Sequence, residues 1–305
     1  MTAAPVRVAV PRKGRPLEAV LDRVATLADA TAVADDVAST LRYEKAVAKG
    51  EQTDDRGVYD RLASYSDPGD PHAPDYTLLR DARPGKPRRI VFDSLSVDVD
   101  GTPVELVGRE EPFRALRTHE FALGFDSADL VLEEVVGLRP EPLTSVADVN
   151  DRIDPVDTDV RVVSGLGDTV YHTLLATQAA AAAVETPALD RQFLSAYDGE
   201  VCISPRYERL VEAVLGTDVT AGLEFVYPDD DHDEEEAAVA DAGVGVYLTV
   251  TGSTARDHGL DVGERLFPSE TVLMENRHEA SGDGDVRAVR RALTADPRET
   301  AIPPQ

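Results

Sequence analysis

Residues 246–277 read VYLTVTGSTARDHGLDVGERLFPSETVLMENR, in which an apolar run ends abruptly in a short polar turn. The run 244–250 is rich in β-branched residues, which predicts a buried strand. The turn, Thr251-Gly252-Ser253-Thr254, combines a glycine with three hydroxyls and precedes a predicted helical turn. Backbone N–H groups at such a strand-to-helix turn can bind an anion. The same residue types are ordinary in turns and helix caps, so a purely structural role stays open.

A second strand-to-helix turn lies near the amino end of the chain. Residues 6–10 predict an apolar strand, and residues 17–28 carry apolar side chains at helical spacing. Between these two segments lies a short basic stretch that contains Arg12, Lys13, Gly14 and Arg15. The pattern predicts a strand, a basic turn and a helix, which is half of an α/β layer.

Candidate strands and helices alternate along most of the remaining chain. Strands are predicted at 90–92, 96–107, 121–125, 160–163 and 200–203, and helices at 127–135, 169–184 and 206–215. Asp100-Gly101 marks a hairpin turn, whereas the Asp-, Pro- and Gly-rich region 54–87 is expected to be an irregular insertion. Alternating strands and helices predict an α/β fold with mainly parallel sheets.

The charge balance restricts the partners and the setting. There are 58 acidic and 31 basic residues, a formal charge of −27, and Lys13, Lys45, Lys49 and Lys86 are the only lysines. This composition suits a high-salt, halophilic cytoplasm, where screening removes most of the self-repulsion. It argues against nucleic acid and anionic membranes as partners. Since no window approaches the ~20 apolar residues of a membrane span, we expect a cytoplasmic protein.

Four other candidate sites are weaker than their structural alternatives. The acidic run 229–236 has no turn-forming glycine, so a solvated loop is favoured over a cation site, and the histidines lack zinc-site spacing. Cys202 stands between apolar residues and is interpreted as a buried strand thiol. The stretch 165–169 could form a second anion-binding turn, but an N-cap role for Asp168 at the start of the Ala-rich helix is favoured. We therefore predict no metal site built by the protein.

The chain resembles the ATP phosphoribosyltransferase family of histidine biosynthesis at both ends. Thr251-Gly252-Ser253-Thr254 with Gly259-Leu260 is similar to the family's phosphoribosyl-pyrophosphate loop, and residues 6–17 are similar to its opening strand and K-G-R-L turn. Shorter matches lie between them, at residues 109–134 and 197–215. Residues 42–106 have no recognisable counterpart in the family.

The resemblance implies a two-lobed fold of the periplasmic-binding-protein type II kind, with a cleft between the lobes. Residues 1–136 and 246–305 would form lobe I, with an insertion at about 42–106, and residues 137–245 would form lobe II. Few residues follow position 279, so we expect no regulatory domain there. The sequence is compatible with a homo-oligomer.

The resemblance also implies a glycosyltransferase that moves phosphoribosyl from 5-phosphoribosyl pyrophosphate to N1 of ATP or a related base, releasing pyrophosphate. Thr251, Gly252, Ser253 and Thr254 would hold the 5-phosphate. Pyrophosphate or ATP phosphates would be bound by Arg12, Lys13, Gly14 and Arg15. Mg²⁺ would be carried mostly by phosphate oxygens. No individual catalytic side chain is assigned.

Two positions depart from the family pattern. Acidic residues usually stand four and eight positions before the first threonine of the loop, where this chain has Tyr247 and Gly243. Carboxylates at these positions can bind ribose hydroxyls. The alternative hypothesis is therefore a non-catalytic sensor or regulatory subunit that binds phosphoribosyl pyrophosphate or a nucleotide without turnover.

Overall fold

The structure of the chain is a computed structural model that describes residues 4–67, 69–80, 88–186, 188–228 and 235–294. The chain divides into two compact units. The first comprises Met1–Asp126, Asp159–Asp168 and Thr271–Gln305, and the second comprises Ser127–Thr158 and Thr169–Glu270. No helix within the described ranges is both long and apolar enough to span a membrane.

Strands and helices alternate through much of the described chain. The strands are β1 (Val6–Pro11), β2 (Asp75–Leu79), β3 (Arg89–Val99), β4 (Thr102–Arg109), β5 (Leu123–Ser127), β6 (Val160–Gly165), β7 (Val170–Thr177), β8 (Glu200–Ile203), β9 (Glu224–Val226), β10 (Val244–Thr249), β11 (Leu260–Ser269) and β12 (Thr271–Asn276). The α-helices are α1 (Gly14–Ala28), α2 (Thr31–Lys49), α3 (Val58–Tyr65), α4 (Pro112–Arg117), α5 (Ala128–Val135), α6 (Gln178–Ala182), α7 (Arg191–Ala196), α8 (Glu208–Leu215), α9 (Thr217–Thr220), α10 (Glu235–Ala242), α11 (Ser253–Asp257), α12 (Arg277–Ala280) and α13 (Gly284–Thr294).

The sheet of the first unit has parallel strands at its centre. Its order is β2-β3-β4-β1-β5-β12-β6, and β1 is parallel to both β4 and β5. Val8 of β1 therefore lies opposite Leu106 on one side and Leu123 on the other. The predicted hairpin is confirmed, since β3 and β4 are antiparallel and the turn residues Asp100 and Gly101 both have positive φ.

Helix α1 covers this sheet through the apolar face that its spacing predicts. Its apolar positions Leu17, Val20, Leu21 and Val24 are all buried in the same cluster as the β1 residues Val8 and Val10. Burying side chains of this size stabilises the fold by about 1.5–3 kcal/mol each. The position of α1 on the sheet is therefore determined by its apolar face.

The region predicted to be irregular contains regular structure, so this prediction is wrong for α3 and β2. The missed signal is a buried ion pair. Arg61 of α3 donates to both carboxylate oxygens of Glu44 in α2, at 2.8 and 3.0 Å, and both side chains are buried. A polar sequence folds here because charged side chains can be buried when they pair and hydrogen-bond. Residues 81–87 of this region lie outside the described ranges.

The sheet of the second unit is built around β7. Its strand order is β11-β7-β10-β8-β9. Strand β7 is antiparallel to both of its neighbours, β11 and β10. Strand β8 is parallel to both of its neighbours, β10 and β9. The predicted helix over 169–184 is wrong, because its first half is this strand and only α6 is helical. The β-branched and aromatic residues at 170–173 outweigh the alanines that follow them.

The predicted α/β class is confirmed, and both sheets are mixed because antiparallel neighbours flank the parallel pairs. The boundaries of the two units differ from the predicted lobes. Residues 127–136 and 246–270 belong to the second unit instead of lobe I, and residues 159–168 belong to the first. The reason is strand pairing, since β10 and β11 both pair with β7 of the second unit.

Candidate functional site

The second unit contains Thr251, Gly252, Ser253 and Thr254, which we call the hydroxyl loop. It connects β10 to α11 and follows Val250, whose side chain is 71% exposed. The Thr251 and Ser253 side chains are also exposed, and their hydroxyl oxygens lie 3.0 Å apart. Both Nη atoms of Arg256 donate to the Thr251 carbonyl oxygen at 3.1 Å. The loop thus presents two adjacent hydroxyls to solvent.

Gly252 is the residue on which the shape of the hydroxyl loop depends. Its φ of +68° lies in the left-handed region, and a Cβ at this position would lie 2.8 Å from a methyl carbon of Val262. Any other residue would therefore be strained and would collide with β11. No side chain caps α11, and the Ser253 N–H makes a long 3.4 Å bond to the Thr251 hydroxyl. Gly252 is itself the N-cap residue of α11, so a purely structural role of the turn stays open beside anion binding.

The first unit contains Arg12, Lys13, Gly14 and Arg15, which we call the basic turn. It connects β1 to α1, with Lys13 in extended conformation and Gly14 at a φ of +80°. Arg12 donates from Nε to the Gly108 carbonyl at 3.1 Å, and one Nη lies 3.5 Å from Asp93. Lys13 lies 3.2 Å from Glu110. Two of the cations are thus paired with carboxylates that are themselves 44% and 42% exposed.

Arg15 is paired with a carboxylate that is less exposed than the carboxylates beside Arg12 and Lys13. Its Nη1 lies 2.9 Å from the carboxylate of Asp168 and also donates to the Asp168 carbonyl. The same carboxylate accepts the Thr271 N–H at 2.7 Å and the Thr271 hydroxyl at 2.8 Å. The predicted N-cap role of Asp168 is wrong because β7, and not a helix, follows it. Asp168 instead fixes the basic turn to the start of β12.

Tyr247 occupies a core position beneath the hydroxyl loop. It is 3% exposed and packs in a buried cluster with Leu175, Cys202, Ala238, Val239, Ala255 and Leu260. Burial raises the pKa of its phenol well above the usual range, and its hydroxyl lies 4.0 Å from the Cys202 sulfur. Gly243 has a φ of +94° at the end of α10. Neither position supplies a carboxylate, so a ribose would have to be bound by other groups.

The weaker candidates have clear outcomes. Cys202 is confirmed as a buried thiol, and burial raises its pKa. Residues 229–234 of the acidic run lie outside the described ranges, while Glu235 and Glu236 begin α10. Among the described residues there is no group of three or more His, Cys, Asp or Glu that could hold a metal ion.

Sequence analysis missed a buried polar cluster of His172, Asp129 and Ser269 in the second unit. The His172 Nε2 lies 3.2 Å from one Asp129 oxygen, and the Ser269 hydroxyl donates to the other at 2.8 Å. The Tyr207 ring packs edge-on against His172 at 5.1 Å. All three cluster members are at most 4% exposed. Because the cluster is closed to solvent, we assign it the structural role of joining α5, β7 and β11.

Comparison with known proteins gives one match along the whole chain. A family model described as halobacterial ATP phosphoribosyltransferase matches residues 1–304. No curated protein sequence matches the chain. The solved structures that match the chain include two remotely similar ones. The ATP phosphoribosyl transferase (HisG:HisZ) complex from Thermotoga maritima has 12% identity over 95% of this chain and 97% of its own, with a TM-score of 0.42. PfVFT1 from Plasmodium falciparum has 10% identity over 58% of this chain and 56% of its own, with a TM-score of 0.33.

Proposed function

This chain belongs to the halobacterial ATP phosphoribosyltransferase family, and we propose that it transfers phosphoribosyl from 5-phosphoribosyl pyrophosphate to N1 of ATP. A bond forms between N1 and C1′ of the ribose, and the bond from C1′ to the pyrophosphate oxygen breaks. Pyrophosphate leaves with the bonding electron pair. The transition state resembles an oxocarbenium ion, so the protein contributes mainly by positioning both substrates and stabilising the departing charge.

The hydroxyl loop is the proposed site of the 5-phosphate. The observation that supports this best is Gly252, whose positive φ and lack of a side chain let the backbone turn sharply between strand and helix. The exposed hydroxyls of Thr251 and Ser253 lie on the same loop, 3.0 Å apart. A phosphate monoester accepts hydrogen bonds from both hydroxyl and backbone N–H donors. The loop therefore suits a small dianion without needing a cationic side chain.

The basic turn is the proposed site of the pyrophosphate group, with ATP phosphates as the other candidate ligand. Arg12, Lys13 and Arg15 offer three positive charges within four residues of a protein whose formal charge is −27. Charge-assisted hydrogen bonds from arginine to phosphate are about twice as strong as neutral ones. The turn could therefore offset part of the overall repulsion of an anionic substrate.

A binding subunit without turnover is the second candidate function. It is favoured by the burial of Tyr247 at 3% exposure, because a core tyrosine replaces a residue that is acidic in most of the family. Such a protein would bind phosphoribosyl pyrophosphate or a nucleotide and report its concentration. The two candidates differ in one observable, which is release of pyrophosphate.

We would test the proposal by measuring pyrophosphate release from 5-phosphoribosyl pyrophosphate with Mg²⁺ in molar KCl. ATP would be compared with other nucleotides and free bases, and Gly252→Val would serve as the loop variant. We expect release that depends on ATP and Mg²⁺ and is lost in the variant. Saturable binding without release under any of these conditions would favour the binding subunit. Unchanged affinity of Gly252→Val for 5-phosphoribosyl pyrophosphate would contradict the assignment of the hydroxyl loop as the 5-phosphate site.

A further inference from the structure

We propose that Asp168 is a positioning residue that holds the Arg15 guanidinium ready to receive the pyrophosphate group. This rests on the proposed function, in which the basic turn binds pyrophosphate. Asp168 is separated from Arg15 by more than 150 residues in sequence, and no motif connects them. Only the fold brings the two side chains together, at 2.9 Å.

The Asp168 carboxylate is itself held in place. One oxygen accepts the Thr271 N–H at 2.7 Å, and the other accepts the Thr271 hydroxyl at 2.8 Å as well as Arg15. The Leu166 N–H donates to the Thr271 carbonyl at 2.8 Å, which joins the two backbone segments. The side chain of Asp168 is only 15% exposed. A carboxylate that is held by both donors of Thr271 can serve as a rigid support for the guanidinium.

Arg15 keeps donors for a ligand while it is held. A guanidinium has five N–H donors, and the bonds to Asp168 involve a single nitrogen, Nη1. The Arg15 side chain is 38% exposed, so part of it faces solvent. Fixing a long flexible side chain before the ligand arrives lowers the entropy lost on binding. The ion pair therefore lowers the net charge of the turn but improves the geometry of one donor.

Within the described part of the chain, neither Glu110 beside Lys13 nor Asp93 beside Arg12 has such a support. Lys13 and Glu110 are 36% and 42% exposed, and Asp93 opposite Arg12 is 44% exposed. Exposed pairs of this kind contribute little and separate easily. Glu110 therefore competes with an incoming anion for Lys13, whereas Asp168 orients Arg15 for it. The same type of contact has opposite consequences at the two residues.

The experiment compares Asp168→Asn with Glu110→Gln. Each substitution removes one negative charge beside the basic turn, so a purely electrostatic effect would tighten anion binding in both. We expect Asp168→Asn to weaken binding of inorganic pyrophosphate about tenfold and to raise KM for phosphoribosyl pyrophosphate by a similar factor. Asparagine can still accept the Thr271 N–H, and thermal unfolding would confirm that the fold is kept. Tighter or unchanged pyrophosphate binding in Asp168→Asn would overturn the proposal.

A double-mutant cycle with Arg15→Ala separates positioning from general damage. If Asp168 acts through Arg15, adding Asp168→Asn to Arg15→Ala should cause no further loss of pyrophosphate affinity. The same tenfold loss in both backgrounds would overturn the proposal and indicate a structural role. Direct binding also separates this proposal from the proposed function. Suppose that the wild-type protein releases no pyrophosphate, while Asp168→Asn, but not Glu110→Gln, weakens pyrophosphate binding. This result would contradict the proposed enzymatic function and would still support the positioning role of Asp168.

Discussion

The basic turn and the hydroxyl loop are both strand-to-helix connections, but they offer an anion different groups. The basic turn relies on charged side chains, each of which contacts an acidic residue at least 81 positions away in sequence, namely Asp93, Glu110 or Asp168. The hydroxyl loop relies on backbone and hydroxyl donors, and its shape requires a glycine at position 252. The shape of the hydroxyl loop follows from four consecutive residues, whereas the charge balance of the basic turn depends on partners that are distant in sequence.

The largest expected effect tests the backbone basis of the hydroxyl loop. Gly252→Ala should weaken binding of ribose 5-phosphate about a hundredfold, because a displacement of about 1 Å in a binding group can cost that much. Gly259→Ala is the matched control, since Gly259 also has positive φ, at +73°, but its Cβ would meet open space. Both variants carry a backbone strain of ~1–2 kcal/mol. Equal losses of affinity in Gly252→Ala and Gly259→Ala would mean that backbone strain causes the effect. The hydroxyl loop would then not differ from the basic turn in being a backbone site.

A smaller effect is expected from the hydroxyls of the same loop. Ser253→Ala should weaken binding of ribose 5-phosphate about tenfold, as expected for one hydrogen bond to a charged group. It should leave the affinity for inorganic pyrophosphate unchanged, because pyrophosphate is assigned to the basic turn. Calorimetric titration with each ligand would measure both affinities. A parallel loss for both ligands would mean that the two regions bind the same group.

Removing the charge of Glu110, one acidic partner of the basic turn, is expected to increase the affinity for pyrophosphate. Glu110→Gln frees Lys13 from its exposed ion pair at 3.2 Å and should tighten pyrophosphate binding about threefold, within the range for exposed pairs. Ribose 5-phosphate binding should not change. Titrations at low and molar KCl would show the gain shrinking as salt screens the pair. Weaker binding in this variant would mean that Glu110 positions Lys13, as we propose for Asp168 and Arg15.

The smallest expected effect concerns the residue beneath the hydroxyl loop. Tyr247→Phe keeps the buried ring and removes a hydroxyl that lies 4.0 Å from the Cys202 sulfur. We expect ribose 5-phosphate affinity within about twofold of wild type and a change in unfolding free energy of at most ~1 kcal/mol. Chemical denaturation and ligand titration would measure the two quantities. A large loss of ribose 5-phosphate affinity with an unchanged unfolding free energy would indicate that the Tyr247 hydroxyl contributes to the binding site.

The sequence predicted those parts of the fold in which the local pattern was unambiguous. The apolar spacing of α1, the Asp100-Gly101 hairpin turn and the strand β10 were all predicted, because each depends on neighbouring residues. The strand β7 was missed because five consecutive alanines lie at positions 179–183 and outweighed the β-forming residues before them. α3 was missed because a buried ion pair such as Arg61 with Glu44 has no apolar periodicity, and β2 was missed because its pairing with β3 is not visible in its own short sequence.

For the candidate site, the sequence predicted the donors but not their environment. The cations of the basic turn and the hydroxyls of the loop were identified from short motifs. Asp168 was interpreted as a helix cap because its contact with Arg15 depends on strand β12, which lies more than 100 residues further along the chain. The cluster of His172, Asp129 and Ser269 was missed for the same reason, since its members come from three separate elements.

The position of β12 has a consequence for how the protein is made. This strand follows almost the whole second unit in sequence, yet it lies between β5 and β6 in the sheet of the first unit. During synthesis the first sheet therefore remains incomplete until the chain has passed residue 276, and the exposed edge of β5 must be protected from other nascent chains. Pairing across such long sequence separations is slow. We expect folding to follow synthesis, with ribosome-bound chains that end at residue 270 remaining sensitive to protease in their first 126 residues.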